Sequence, residues 1–196
     1  QIQGFFDVPV DHLYGGPALV EYIKRQDWSK NLVVVSPDVG NVKMVRAYAS
    51  RMNAPFAIID KRRPKPNVSE VMNIVGDVAG HHCLLVDDII DTAGTLCNAA
   101  VALVGAGALS VSACATHAVL SEPARENIQK APLDRVVITD SILQSNGESM
   151  KKFELVTVAP MFAEAIYRIY HHLSVSELFE KYSIDHLLKN EAVETS

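Results

Sequence analysis

Short β-branched, apolar runs alternate along this chain with longer segments whose apolar positions recur every three to four residues. Six runs read as strands: Leu32–Ser36, Phe56–Asp60, Cys83–Asp87, Val111–Thr116, Val136–Thr139 and Leu155–Val158. Helical periodicity marks Ala18–Arg25, Val42–Met52, Thr95–Val104, Pro123–Gln129 and Met161–His171. Nearly continuous apolar strands separated by helices argue an α/β fold, a mostly parallel sheet flanked by helices. Turn residues fall between the periodic segments, at Asp38-Val-Gly40, within Gly76–Gly80 and at Gly105-Ala-Gly107. A short last helix is expected at Ser176–Tyr182. The organisation read from this pattern is one domain over 1–179 and a polar tail over 180–196.

One stretch tests that reading. Between Asp91 and Glu122 no Asp, Glu, Lys or Arg occurs, and a membrane-spanning helix needs ~20 predominantly apolar residues. Gly105-Ala-Gly107 splits the stretch, and Asn98, Ser110, Ser112, Thr116 and His117 add polar groups, so it predicts a buried helix, a turn and a buried strand. No membrane partner is expected.

Composition narrows the function classes. With 196 residues and 48% hydrophobic residues the chain can bury a real core. Eighteen Lys and Arg against 23 Asp and Glu leave a net charge of −5, which argues against broad attraction to nucleic acid or anionic lipid. Cys83, Cys97 and Cys114 are odd in number and widely spaced, unlike a disulfide framework or zinc site, and fit a reducing cytoplasm. Gln1 is not an initiator Met, and the opening residues lack the basic n-region of a signal peptide. The chain is therefore expected to begin in mid-structure.

The chemistry concentrates in Leu84-Leu-Val-Asp-Asp-Ile-Ile-Asp-Thr-Ala-Gly-Thr95. An apolar strand here ends in paired carboxylates, Asp87 and Asp88, and ligands of open parallel sheets bind beyond the carboxyl ends of strands. The following turn, Asp91, Thr92, Ala93, Gly94 and Thr95, offers backbone N–H groups, hydroxyls and a helix N-terminus suited to a phosphate monoester. The aspartates suit ribose hydroxyls, directly or through a divalent metal. A plainer reading makes Asp91 or Thr92 a helix cap and the Asp pair a solvated strand end. Lys61-Arg-Arg-Pro-Lys-Pro66 holds four cations and two prolines and predicts a basic loop. Asp38 fits a helix N-cap as well as a ligand. Lys43 and Arg46 read as surface charges, the pairs His81-His82 and His171-His172 as solvent-facing, and His117 as a hydrogen-bonded strand-end histidine.

The Leu84–Thr95 segment resembles the phosphoribosyl pyrophosphate (PRPP) signature of type I phosphoribosyltransferases and PRPP synthetases. Gln1-Ile-Gln-Gly-Phe-Phe-Asp7, Val35-Ser-Pro-Asp-Val-Gly40, Ile59-Asp-Lys-Arg-Arg-Pro64, Ala163-Glu-Ala-Ile166 and Ser174-Val-Ser-Glu-Leu-Phe179 narrow the resemblance to the synthetases, ribose-phosphate pyrophosphokinases, over nearly the whole chain. It implies a type I phosphoribosyltransferase-like domain. The implied reaction moves the diphosphoryl group of MgATP to the C1 hydroxyl of ribose 5-phosphate, giving PRPP and AMP.

On that resemblance Asp91–Thr95 hold the 5-phosphate and Asp87 and Asp88 the sugar hydroxyls. Lys61 and Arg63 belong to a catalytic loop, Arg63 also serving the ribose 5-phosphate site. Asp38 meets Mg2+ through water, and Phe5 and Phe6 lie near the nucleotide. Ser174 and Ser176 fall in a segment of subunit contacts, and a homo-oligomer, a hexamer built from dimers, is implied. The family carries a preceding domain with much of the ATP site and a metal-binding His just before the Gln-Ile-Gln segment, so the chain is expected to be a C-terminal portion with little activity alone. The alternatives are a phosphoribosyltransferase that consumes PRPP and a non-catalytic regulatory relative of the synthetase.

Overall fold

The computed structural model describes residues 2–62, 71–144 and 151–180. In chain order the elements are α1 (Gly16–Lys24), β1 (Leu32–Ser36), α2 (Val42–Met52), β2 (Phe56–Arg62), β3 (Val71–Val75), β4 (His82–Ile90), α3 (Gly94–Gly105), β5 (Ser110–Ala118), α4 (Ala124–Lys130), β6 (Arg135–Thr139), β7 (Phe153–Val156), α5 (Ala159–Tyr170) and α6 (Glu177–Glu180). Short 3-10 turns occupy Ile2–Phe5 and Asp27–Ser29.

The seven strands form one sheet in the order β3-β2-β1-β4-β5-β6-β7. All neighbours are parallel except β2 and β3. Buried strands need apolar residues on both faces, and the two faces are filled separately. Val33, Val35, Cys83, Leu85 and Ala113 pack with Leu96, Ala99 and Leu103 of α3 and Ile128 of α4. Val34, Leu84, Val86 and Cys114 pack on the other side with Leu19 and Ile23 of α1 and Val45 and Tyr48 of α2. The architecture is therefore helix, sheet, helix, as the alternating pattern predicts.

Local signals set the boundaries. Pro residues open α1 and α5, where a missing N–H costs nothing. Helix α2 spans the predicted residues and stops at Asn53, left-handed at φ 51°, whose N–H bonds the Ala49 and Ser50 carbonyls. The uncharged stretch after Asp91 forms α3, a turn and β5 as expected, and no helix among the described residues is long and apolar enough to cross a membrane.

Strand β3 departs from the sequence reading, which has six strands. It is an antiparallel edge of five residues on which Met72 and Ile74 pack against the core while Asn73 and Val75 are exposed, an alternation too short to stand out. Gly76 ends it at φ 122°, where an added Cβ would lie 2.8 Å from the Ala57 Cβ. Pairing with β3 also extends β2, so Lys61 lies in a strand opposite Met72 rather than in the expected loop. The remainder of that loop, from 63 to 66, falls outside the described residues, as do 67–70 and the tail from 181 to 196.

The histidine reading is corrected in part. His81 and His82 are half-buried, not solvent-facing. His82 opens β4 and its Nδ1 lies 2.6 Å from the Ser110 Oγ, because the start of β4 is flanked by β5. His171 and His172 are exposed.

Candidate functional site

Parallel pairing puts the carboxyl ends of β1, β2, β4, β5 and β6 on one edge of the sheet. From β1 the chain moves outward to β2 and β3 and then returns to β4 on the other side of β1. That reversal opens a crevice between the ends of β1 and β4, the usual ligand position of such sheets.

The β1–α2 turn forms one wall. Ser36, fully buried at the end of β1, donates from Oγ to the Asp38 carbonyl at 2.6 Å. The Asp38 carboxylate accepts the N–H groups of Gly40 at 2.8 Å and Asn41 at 3.1 Å through Oδ1. Asp38 thus ties the turn ahead of α2 through one oxygen; it does not cap the helix, because its partners precede Val42 and the N-cap position is Asn41's.

Across the crevice stands Asp87. Its Oδ1 accepts the Asn41 amide at 2.8 Å and the Asp88 N–H at 2.9 Å. Strict alternation along β4 would place Ile90 with Leu84 and Val86, yet Ile90 packs with Cys83 and Leu85. The strand therefore turns over by one residue after Val86, and in doing so it presents Asp87 to Asn41 at the start of α2. Asp88 is exposed beside it. Burial, hydrogen bonding with Asp88 and the negative charges of Asp88 and Asp38 push the Asp87 carboxyl up to about 6, against a smaller downward pull from the Asp88 N–H.

A pH effect follows. Asp87 titrates higher in the folded chain than in the unfolded one, so the folded state holds a proton that the unfolded state has already lost between about pH 4 and 6. Stability from this group is present below that window and is lost as the pH rises through 6. Asp87→Asn should therefore be more stable than the parent at pH 7 by about 1 kcal/mol, after allowance for screening of a half-exposed group. The gain should vanish toward pH 4. Thermal melts of both proteins across that range without divalent metal check it; a gain that is the same at every pH would contradict it.

The turn after β4 completes the cluster. Ala93 is buried and left-handed at φ 62°, and it occupies the N-cap position of α3 with no side-chain capping bond. Capping by Asp91 or Thr92, the plainer reading of this turn, is therefore not what the structure shows. Asp91, Thr92 and Thr95 are exposed, Gly94 is half-buried, and the first-turn N–H groups of α3 open toward the crevice side of the sheet. The Asn127 amide of α4 donates to the Thr92 carbonyl at 3.1 Å and ties the turn down. A left-handed residue at a bare helix N-terminus forms a concave row of donors fit for an anion.

The ends of β5 and β6 form the far side. Thr139 and Ser141 donate from their hydroxyls to the Thr116 carbonyl at 2.7 and 2.9 Å. His117 Nδ1 lies 3.0 Å from the Ser141 Oγ, which bears out a hydrogen-bonded strand-end histidine.

The structure thus brings Asp38, Asp87, Asp88 and the 91–95 turn to one crevice. Lys61 stands half-buried on the same edge, two strands from β4. Arg63 lies outside the described residues. Phe5 and Phe6 are 86% and 54% exposed and belong to neither core cluster. Lys43 and Arg46 are exposed, with Arg46 stacked 5.3 Å from the Phe56 ring centroid. Asn41 and Asn127 had no signal in the sequence beyond a helix start and a helix surface.

Residues 61–180 match the phosphoribosyl synthetase-associated domain family. A ribose-phosphate pyrophosphokinase of Clostridium acetobutylicum is 56% identical over 182 residues, which is 92% of this chain and 57% of the relative. The crystal structure of a phosphoribosylpyrophosphate synthetase from Mycobacterium smegmatis superposes with a TM-score of 0.77 at 35% identity, covering 88% of this chain and 56% of that one. The chain thus spans a little over half the length of these relatives. An orotate phosphoribosyltransferase from Aeropyrum pernix shares the fold, with a TM-score of 0.50 at 16% identity over 78% of this chain and 74% of that one.

Proposed function

The chain belongs to the phosphoribosyl synthetase-associated domain family, and on that premise we propose that it forms the ribose 5-phosphate side of a ribose-phosphate diphosphokinase, a transferase that uses MgATP to make PRPP and AMP. The observation that carries this reading is the pairing of two unlike subsites on one crevice. A bare helix N-terminus stands beside the paired aspartates Asp87 and Asp88. Phosphate fits the first and repels the second; a sugar phosphate, with one anionic end and a row of hydroxyls, satisfies both.

In this reading the backbone N–H groups and hydroxyls of Asp91–Thr95 grip the 5-phosphate. Asp87 and Asp88 accept from the 2- and 3-hydroxyls and so fix the ring with its C1 hydroxyl facing the ATP side. The C1 oxygen attacks the β-phosphorus of ATP as the bond from that phosphorus to the α-phosphate oxygen breaks; AMP leaves and the hydroxyl proton passes to solvent. Positioning and charge neutralisation dominate such a transfer. Lys61, and Arg63 by resemblance, neutralise the charge that builds on the moving group. Phe5 and Phe6 are assigned to the nucleotide by the same resemblance.

The donor set accommodates Mg2+. Among the described residues no group of three His, Cys, Asp or Glu side chains converges as a cage. Mg2+ keeps several waters and takes one or two carboxylates together with substrate phosphates, and Asp38, Asp87 and Asp88 supply such oxygens, Asp38 through water. When bound, the ion would offset phosphate charge. A homo-oligomer and a reducing cytoplasm, consistent with three free thiols, complete the proposal.

The test is AMP formation from MgATP and ribose 5-phosphate by the protein taken at the length of its curated relatives. Strict dependence on both substrates is expected, and no AMP would end the proposal. Pyrophosphate release from PRPP with a nucleobase would point instead to a phosphoribosyltransferase. The 196-residue chain by itself is expected to turn over little, since the ATP side is assigned largely to the remaining length of those relatives.

A further inference from the structure

We propose that Asn41 is a positioning residue of the sugar-hydroxyl subsite, holding Asp87 in the orientation that reads the ribose. The inference rests on the ribose 5-phosphate reading above. Asn41 occupies the N-cap position of α2, where an Asn side chain ordinarily accepts from the second or third N–H of the helix, yet it makes no capping bond. Its amide instead reaches from the end of β1 to the end of β4 and donates to the Asp87 Oδ1 at 2.8 Å. Its own N–H is bound at 3.1 Å by the Asp38 carboxylate, in a turn that Ser36 fixes through the Asp38 carbonyl.

The location explains why a neutral donor belongs there. Asp38, Asp87 and Asp88 gather at the reversal of strand order, where like charges so placed disfavour one another's charged form. A lysine would restrain Asp87 but also neutralise it and weaken it as an acceptor for hydroxyls. The Asn41 amide orients without adding charge. Two donors on one oxygen, Asn41 Nδ2 and the Asp88 N–H, stop the carboxyl from rotating, so its remaining acceptor capacity points one way. The side-chain amide of Asn41 bonds to Asp87, and on this proposal it acts through that carboxylate alone. Its effect should therefore appear in discrimination among sugars and not in anion binding.

Titration calorimetry of the 196-residue chain with three ligands tests this: ribose 5-phosphate, 2,3-dideoxyribose 5-phosphate and inorganic phosphate. The parent should bind ribose 5-phosphate more tightly than the dideoxy sugar. Loss of a hydrogen bond to a charged group should cost Asn41→Ala about tenfold in ribose 5-phosphate affinity. Its affinity for the dideoxy sugar and for phosphate should stay within about twofold, which also reports an intact fold. Asn41→Asp keeps the shape, removes the donor and adds a like charge, so it should lose more than Asn41→Ala, again for ribose 5-phosphate alone. Undiminished preference for ribose 5-phosphate in either variant, or an equal loss for all three ligands, would overturn the assignment while leaving the function standing. A parent that binds phosphate but shows no preference among the sugars would overturn the ribose reading itself, and the assignment of Asn41 with it.

Discussion

Lys61→Ala is expected to lower AMP formation from MgATP and ribose 5-phosphate by about a thousandfold, with ribose 5-phosphate affinity changed less than about threefold. The magnitude is that of a cation acting on the charge of a transferring phosphoryl group. The separation of the two effects comes from the sheet. Lys61 sits on β2 and Asp87 on β4, with β1 between them, and two strand spacings amount to roughly 10 Å. On the proposed function the lysine serves the triphosphate and not the sugar. Its place in a strand paired to β3 gives the ammonium a fixed base. Initial-rate measurements combined with titration of ribose 5-phosphate decide the matter in the protein taken at the length of its relatives. Unchanged turnover would remove Lys61 from the transfer step, and an equal fall in sugar affinity would move it to the sugar site.

The second large effect is expected at Ala93. A non-glycine residue at φ 62° already costs about 1–2 kcal/mol, and on the proposed function that conformation shapes the row of N–H donors at the start of α3. Valine at this position would add branching at Cβ in a conformation that β-branched residues avoid, inside a site only 6% exposed and packed against Leu96 and its neighbours. Ala93→Val should therefore rotate the turn and weaken both inorganic phosphate and ribose 5-phosphate by about a hundredfold. Ala93→Gly removes the conformational penalty and should bind at least as well as the parent. Titration with both ligands, alongside a melting curve, provides the check; a valine variant that binds phosphate normally would show that the anion is held elsewhere.

These two positions differ in how far they can be read without coordinates. The order of strand, Asp pair, Asp-Thr-Ala-Gly-Thr turn and helix is local, so it marks Asp87 to Thr95 as a candidate ligand site before any packing is known. Lys61 is visible as part of a basic run, but its attachment to a strand depends on β3, an edge whose five residues carry too little alternation to announce it. Asn41 lies 46 positions from Asp87 and looks like an ordinary helix start. Only the neighbouring of β1 and β4 makes it a partner.

The sequence by itself determined the α/β class, six of the seven strands, the turn from Asp91 to Thr95 and the carboxylate pair, because each depends on residues within a few positions of one another. Tertiary structure alone decided which oxygen of Asp87 is held and by whom, why its carboxyl titrates near 6, and that α3 begins uncapped. Those properties come from burial and from groups brought together by strand order, and no spacing along the chain encodes either.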